Sequence, residues 1–503
     1  MGVRRRLFTA AAVTAVTAMA GGLLTGTPAF AAEQGSVAWA PCPDSPGVDC
    51  GTVTVPIDWA NPGKGTTKIA LARKKATDPA ARIGSLLMDP GGPGGPGAGE
   101  VKGGWSLSPE ITRRFDTVGF DPRGIGDSTQ LQCGLDEVIA DHPAVPKNQA
   151  EFTQLAEYNR KVAESCDRIT GPLASFADTK SVAKDMDAIR VALGEKKLTY
   201  YGVSYGTLMG QQYAEQFPDK VRALVLDSNM DHSTPNAWEF LRSETQSVEA
   251  EYGQFAAWCD RTAGCALHGQ DVVKVLRGLQ DKAARGELKE PQSGELITPL
   301  DLASVIQGSF YGPNWASLAS FLNELQTGAK PAVSASALKA EVPVNRVFQS
   351  VFCDDWNLKV HNFAELEAYR RGVAALYPNV KVNSLGWTAV TGCIGWPNKV
   401  SNPQHPLSVH GAPPLLMVSS LHDPATPYAW SQAAARQSGA TLLTYDGWGH
   451  GAYFKGSDCV IKATDQYLIS GKLPARGTHC AAVEPGTDQA RIAGPRAPQP
   501  IGF

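Results

Sequence analysis

The sequence lacks the short motifs that bind a metal ion or a nucleotide phosphate. None of its ten cysteines forms a C-x-x-C pair and no H-E-x-x-H segment occurs, so a zinc site has no support. No glycine-rich segment ends in Gly-Lys-Ser or Gly-Lys-Thr, the ending that a phosphate-binding P-loop requires. We therefore expect no metal and no cofactor.

Long apolar runs are missing after the N-terminal segment, where no stretch reaches the ~18 residues that a membrane-spanning helix needs. At the N-terminus, three arginines at 4–6 precede an Ala/Val/Leu-rich stretch, and A-F-A at 29–31 resembles a cleavage site. This pattern predicts a signal peptide over residues 1–31 and a secreted, extracellular protein. Its removal moves the formal charge from −3 to −6, because three arginines and no acid leave with it. Such a mildly acidic surface argues against nucleic acid or an anionic membrane as partner.

The cysteines predict disulfide bonds in an exported chain. Spacing alone does not fix which cysteines pair. The simplest arrangement joins neighbours along the sequence: Cys42–Cys50, Cys133–Cys166, Cys259–Cys265, Cys353–Cys393 and Cys459–Cys480.

One segment has the pattern of a nucleophile elbow. The apolar run that starts at Leu198 predicts a strand, passes through G-V-S-Y-G around Ser204, and continues as a helical pattern to Pro218. G-x-S-x-G between a strand and a helix forces a tight turn that exposes the serine hydroxyl at the helix N-terminus. We therefore predict that Ser204 is a catalytic nucleophile.

The flanking segments predict alternating helices and strands. Residues 181–193 have helical spacing, with Thr179 as the cap and Gly194 at the end, and residues 223–226 form the next strand. Residues 51–77 alternate around a turn and predict an antiparallel hairpin. Helices that alternate with buried strands imply a mostly parallel sheet.

Glycines follow the strand predicted over 83–88. The run D-P-G-G-P-G-G-P-G begins at Asp89, where glycine lets a backbone N–H approach a substrate carbonyl. Tyr205 and one of Gly91 or Gly92 are the predicted oxyanion donors. After the strand over 115–120, Arg123 and Asp127 are interpreted as structural residues that hold loops beneath the site.

A serine nucleophile needs a histidine base and an acid, in the chain order serine, acid, histidine. His450 follows the strand over 441–445 by a short glycine-rich loop. Asp423 follows the strand over 414–418 and is the preferred acid. Asp227, which follows an earlier strand, is the competing acid.

Between the strand predicted over 223–226 and the strand predicted over 414–418, the sequence is mostly helical in pattern. This segment predicts a cap over the active site. The predicted organisation is a signal peptide (1–31), a first part of the core (32–231), a helical cap (232–405), a second part of the core (406–482) and a disordered tail (483–503).

Five segments together resemble the secreted tripeptidyl aminopeptidases of actinomycetes: DPGGPGGPG, DPRGIGDS, GVSYGT, HDPATP and GWGHG. The resemblance implies an α/β-hydrolase fold with a largely helical cap inserted before the last strands. It also implies a serine exopeptidase, related to proline iminopeptidases, that removes short peptides from free N-termini. The expected enzyme is a monomer that acts on peptide or protein N-termini.

Such an enzyme needs carboxylates that bind the substrate α-ammonium group. The resemblance favours Asp355, with Glu239 and Glu244 as further choices; Glu249, Glu251 and Asp354 are open alternatives. A carboxylesterase or another acyl hydrolase on the same fold is the nearest competing function, and a non-catalytic binding protein is a second one. The residue preferred before the cut, proline included, stays open.

Overall fold

The computed structural model describes residues 35–291, 293–328, 347–381 and 383–486. The predicted signal peptide and residues 487–503 of the predicted tail lie outside these ranges. No helix in them combines the length and the apolar character needed to cross a membrane.

A single mixed sheet organises the described part of the chain. Its strands are β1 (Ala40–Pro41), β2 (Asp49–Pro56), β3 (Thr66–Lys74), β4 (Gly84–Asp89), β5 (Phe115–Asp121), β6 (Leu198–Val203), β7 (Val221–Asp227), β8 (Leu416–His422), β9 (Thr441–Trp448) and β10 (His479–Cys480). Their order in the sheet is β1-β2-β3-β5-β4-β6-β7-β8-β9-β10. Strands β1 to β3 pair antiparallel, β3 pairs antiparallel with β5, and every pair from β5 to β10 is parallel. The predicted mostly parallel sheet and its antiparallel hairpin are confirmed.

The helices follow the strands in the same chain order. They are α1 (Gly97–Gly103), α2 (Pro109–Arg114), α3 (Leu135–Val138), α4 (Gln149–Thr170), α5 (Thr179–Ala192), α6 (Tyr205–Gln216), α7 (Ala237–Arg261), α8 (Val272–Ala284), α9 (Pro299–Tyr311), α10 (Trp315–Thr327), α11 (Val347–Asp355), α12 (Phe363–Leu376), α13 (Ser384–Thr391), α14 (Tyr428–Ser438) and α15 (Asp458–Ser470).

The central strands are buried on both faces, which explains why they are continuous apolar runs rather than alternating ones. Along β4, Leu87 packs in the core that contains residues of α5, α6 and α14. Its neighbours Leu86 and Met88 pack in the core on the other face, with α1, α2 and α15. The result is the three-layer arrangement of an α/β-hydrolase.

Helices α7 to α13 lie between β7 and β8 and have their own apolar cores. One core joins α7, α8, α9 and α10, and another joins α4 with α7, α11, α12 and α13. The predicted helical insertion is therefore present, while its boundaries at 232 and 405 stay a prediction.

Two local features of the sequence behave as structural supports. The five disulfide bonds join the cysteines that are neighbours along the chain, as the simplest pairing predicts. Arg123 is fully buried and donates to both carboxylate oxygens of Asp185 at 2.7 and 2.6 Å. It also donates to three backbone carbonyl oxygens, so it holds neighbouring loops together.

The cap of α5 differs from the prediction. Asp178, not Thr179, occupies the N-cap position and accepts a hydrogen bond from Ser181 N. Aspartate and threonine are both common at the N-cap, but Thr179 is already the first residue of the helix, so Asp178 takes the N-cap position. The Thr179 hydroxyl instead donates to Asp355.

Candidate active site

Ser204 lies at the turn between β6 and α6. Its backbone has φ 59° and ψ −126°, a strained conformation for a residue with a side chain. Its N–H donates to the Asp227 carbonyl oxygen at 3.0 Å, which ties the turn to the end of the neighbouring strand β7. The hydroxyl therefore lies at the N-terminus of α6, where the helix dipole favours negative charge.

The glycines on either side of Ser204 are required by close packing. A Cβ on Gly202 would lie 2.6 Å from the Gly206 carbonyl oxygen, and a Cβ on Gly206 would lie 2.8 Å from the Asp89 carbonyl oxygen. Gly91 approaches the same turn, because its Cβ would lie 2.7 Å from Tyr205 N. The elbow and the glycine-rich loop after β4 are thus in direct contact.

His450 and Asp423 form a hydrogen-bonded pair. The His450 Nδ1 lies 2.9 and 3.1 Å from the two Asp423 carboxylate oxygens. Asp423 is fully buried and also accepts hydrogen bonds from the backbone N–H groups of Ala425 and Thr426. Burial alone would raise the pKa of Asp423, but the His450 charge and these hydrogen bonds lower it below its ordinary value. An ionised carboxylate on Nδ1 leaves Nε2 as the proton acceptor.

Asp227, the competing acid, does not contact the imidazole through a hydrogen bond. Its carboxylate accepts from Ala452 N at 2.9 Å, Tyr453 N at 3.0 Å and the Tyr201 hydroxyl at 2.7 Å. Because its own carbonyl oxygen accepts from Ser204 N, Asp227 links the serine turn to the loop that follows His450. This residue is a structural support for both loops.

The histidine loop lies against the residue that precedes Ser204. A Cβ on Gly451 would be 3.6 Å from Val203 Cγ1, which is ordinary van der Waals contact. Among the described residues, the Ser204 hydroxyl has no hydrogen-bond partner, His450 included. Catalytic hydrogen bonds are often long in enzymes without substrate and shorten when substrate binds.

The predicted oxyanion donors differ in whether their backbone N–H already donates a hydrogen bond within the protein. Gly91 N already donates to Asp89 Oδ1 at 2.8 Å. Within the described ranges, no residue accepts from the backbone N–H of Gly92 or of Tyr205. Because Gly91 N is already engaged, these contacts favour Gly92 over Gly91 in the open choice of oxyanion donor.

Asp355, the preferred carboxylate for the substrate α-ammonium, accepts hydrogen bonds from residues of the protein. It is fully buried, and its oxygens accept from Thr179 N, the Thr179 hydroxyl, the Tyr205 hydroxyl and Asn402 Nδ2. Burial raises the pKa of Asp355 to about 7. Each of its two oxygens already accepts two hydrogen bonds, which does not favour a substrate cation there; the role of Asp355 in binding the α-ammonium group stays a prediction.

Glu239 has a charged partner of its own. It forms a partly exposed ion pair with Arg242, one turn along α7. Of the alternatives, Glu249 accepts three hydrogen bonds from Asn379 and Val380. Asp354 is buried beside Asp178 and Asp355.

Glu244 and Glu251, by contrast, lie beside Asp423. They are seven residues apart on α7, so they occupy one face of the helix about 10 Å apart along its axis. Both are buried; one oxygen of Glu244 and both oxygens of Glu251 have no partner among the described residues. Burial, and then the negative charge of Asp423, raise the pKa of each well above its ordinary value. Between them, the Ser247 hydroxyl donates to the Asp423 carbonyl oxygen.

Sequence reasoning missed two residues that support the histidine loop. The carbonyl oxygen of Tyr311, at the end of α9, accepts from His450 N at 2.9 Å and from Lys455 Nζ at 2.7 Å. The Tyr311 ring lies 5.0 Å from the imidazole. Burial lowers the pKa of Lys455 to about 8, although Asp423, Asp227 and Glu251 oppose the shift. In the sequence, the one signal for a role of Lys455 in this loop is its position five residues after His450.

The sequence of this chain is similar to those of several known proteins. Residues 380–480 match a family described as "TAP-like protein". The serine protease Hip1 of Mycobacterium tuberculosis is 31% identical over 88% of this chain and 91% of that protein. The tripeptidyl aminopeptidase of Streptomyces lividans is 32% identical over 86% of this chain and 84% of that protein. Carboxylesterase B of Mycobacterium tuberculosis is 32% identical over 86% of both chains.

These relatives exceed 30% identity over most of their length, and the sheet order, the serine turn and the His–Asp pair are present in this chain. The chain therefore belongs to the TAP-like family and is a serine hydrolase of the α/β-hydrolase fold.

Proposed function

We propose that the protein is a secreted serine exopeptidase that releases short peptides, three residues long, from free N-termini. The observation that supports it most is the pair of buried glutamates on α7 beside Asp423, of whose four carboxylate oxygens three have no partner among the described residues. A peptidase that recognises an N-terminus needs such carboxylates, whereas an esterase has no cation to bind. The name of the Streptomyces lividans relative agrees with this substrate class.

In the proposed mechanism, His450 Nε2 removes the Ser204 proton as the hydroxyl oxygen attacks the scissile carbonyl carbon. Asp423 holds the imidazole in the required tautomer and stabilises the imidazolium ion that forms. The Gly92 and Tyr205 N–H groups donate to the oxyanion of the tetrahedral intermediate. His450 then protonates the leaving amine, and the same histidine activates the water molecule that hydrolyses the acyl-enzyme.

The glutamates supply the second part of the proposal. A buried carboxylate without a partner is costly to ionise, so in the empty enzyme burial favours the protonated form of both residues. A substrate ammonium group provides the missing opposite charge and hydrogen-bond donors, which favours ionisation of the glutamate that it contacts. Of the carboxylates that the sequence suggested, we therefore favour Glu244 and Glu251 over Asp355 and Glu239.

A tripeptide p-nitroanilide with a free N-terminus, compared with its N-acetylated form, tests the proposal. We expect Glu244→Gln and Glu251→Gln to lower kcat/KM for the free substrate by about 10²-fold, the scale expected when one partner of a buried charge pair is removed. The acetylated substrate should be poor for the wild type and unaffected by these substitutions. Glu249→Gln is the matched control, because Glu249 is on the same helix but is bonded to Asn379 and Val380.

Equal cleavage of the free and blocked substrates by the wild type would refute the exopeptidase proposal. Mass spectrometry of products from an unblocked peptide then measures the length of the released fragment. Tripeptides are the expected product, and single residues or dipeptides would contradict that part of the proposal.

A carboxylesterase is the second candidate, favoured by the 32% identical relative of that name. The same serine, histidine and oxyanion donors hydrolyse esters, since the leaving group is not part of this machinery. This function predicts faster turnover of acyl esters than of the free tripeptide anilide, and no effect of Glu244→Gln on either.

A further inference from the structure

Asp89 ends β4 directly beneath the glycine-rich loop. It is fully buried, and its Oδ1 accepts a hydrogen bond from Gly91 N at 2.8 Å. This bond spans two residues and closes the turn by which the loop leaves the strand. No described residue donates to or accepts from Asp89 Oδ2.

The bond takes up one backbone N–H of the loop, that of Gly91. Gly91 N is engaged by Asp89, whereas the next N–H along the loop, that of Gly92, has no acceptor among the described residues. Gly91 has φ 88° and packs against Tyr205 N, so the loop and the serine turn hold each other at a fixed separation. The Asp89 carbonyl oxygen meets the same turn at Gly206.

The pKa of Asp89 is shifted in the direction that suits this location. Burial, and secondarily the negative charge of Asp121, raise the pKa of Asp89 well above its ordinary value. A neutral acid accepts the Gly91 hydrogen bond without placing a negative charge beside an oxyanion, where it would oppose the reaction.

We propose that Asp89 is a positioning residue for the oxyanion loop: through its hydrogen bond to Gly91, it holds the Gly92 N–H in the orientation that binds the oxyanion. The proposal rests on the proposed role of Ser204 as nucleophile. It does not depend on the N-terminal specificity of the enzyme.

Hydrolysis of p-nitrophenyl acetate by the full chain tests the proposal without a peptide N-terminus. We expect Asp89→Ala to lower kcat by about 10²-fold with KM nearly unchanged, because oxyanion bonds form only in the transition state. Asp89→Asn keeps an acceptor for Gly91 N and should restore kcat to within about threefold of the wild type.

The control is Asp116→Ala. Asp116 is also a buried aspartate on a strand and accepts a hydrogen bond from a backbone N–H, that of Ala76. It lies at the N-terminal end of β5, whereas Asp89 lies at the C-terminal end of the parallel strand β4. This variant should lose stability and keep the wild-type kcat. If Asp89→Ala does not fold, Asp89→Leu, which fills the space without an acceptor, takes its place.

Three results would overturn the proposal: an unchanged kcat in Asp89→Ala, an equal loss in Asp116→Ala, or an Asp89→Asn variant as impaired as the alanine variant. Failure of the underlying role of Ser204 would look different, since Ser204→Ala would then retain ester turnover.

Discussion

Asparagine substitutions at Asp423 and Asp227 should separate a catalytic carboxylate from a structural one. In Asp423→Asn, the residue volume is kept and one side-chain oxygen can still accept from Ala425 N and Thr426 N. The amide cannot stabilise an imidazolium ion, and its NH₂ group favours the wrong imidazole tautomer. We expect kcat to fall by about 10⁴-fold with little change in the free energy of unfolding.

Asp227 should show the opposite pattern. Removing its carboxylate in Asp227→Ala leaves the backbone N–H groups of Ala452 and Tyr453 buried without an acceptor. The buried Tyr201 hydroxyl loses its acceptor as well. At about 1–3 kcal/mol for each of the three unsatisfied groups, the free energy of unfolding should fall by about 3–9 kcal/mol. Asp227→Asn keeps one of the two oxygens and should lose about half as much.

Urea unfolding and steady-state kinetics on the same preparations measure both effects. The decisive comparison is the ratio of kcat loss to stability loss, which we expect to be far larger for the Asp423 variant. A 10⁴-fold loss of kcat in a well-folded Asp227→Asn protein, with an active Asp423→Asn protein, would refute this assignment of the acid.

Two further predictions concern stability. Since the pKa of Asp355 is raised from 3.8 to about 7, the folded state keeps a proton that the unfolded chain releases; the free energy of unfolding should therefore decrease as pH rises through this window. Asp355→Asn should flatten that dependence in urea unfolding, and an unchanged pH slope would contradict it. Replacing both Cys353 and Cys393, which close a loop with a sequence separation of 40, by serine should cost about 4 kcal/mol in the same assay, whereas no loss would show that the bond does not constrain the unfolded chain.

The parts of the fold that the sequence predicts are those set by local patterns. Buried parallel strands are continuous apolar segments, and the turn at Ser204 needs glycine on both sides because backbone atoms of neighbouring elements occupy the space. The positions of Asp423 and His450 follow from chain order and from the rule that functional loops meet at the carboxyl edge of a parallel sheet. These patterns need no knowledge of distant contacts.

The cap carboxylates could not be assigned in this way. Asp355 and Glu244 are both acids on helices of the insertion, and nothing local distinguishes them. Only tertiary contacts distinguish them. Thr179, 176 residues earlier in the chain, donates two hydrogen bonds to the Asp355 carboxylate, whereas one Glu244 oxygen has no hydrogen-bond donor among the described residues. The hydrogen bond from His450 N to the Tyr311 carbonyl oxygen could not be predicted from the sequence either, because it depends on the position of the end of α9 in the folded protein.

A crystal structure of the enzyme inactivated by a tripeptide phosphonate with a free α-amine tests the central claim most directly. The account predicts a covalent bond from Ser204 Oγ to phosphorus, with the phosphoryl oxygen about 3 Å from Gly92 N and Tyr205 N. It also predicts the α-ammonium group on Glu244 or Glu251. Phosphorus on another residue, or an ammonium group in solvent away from α7, would contradict it.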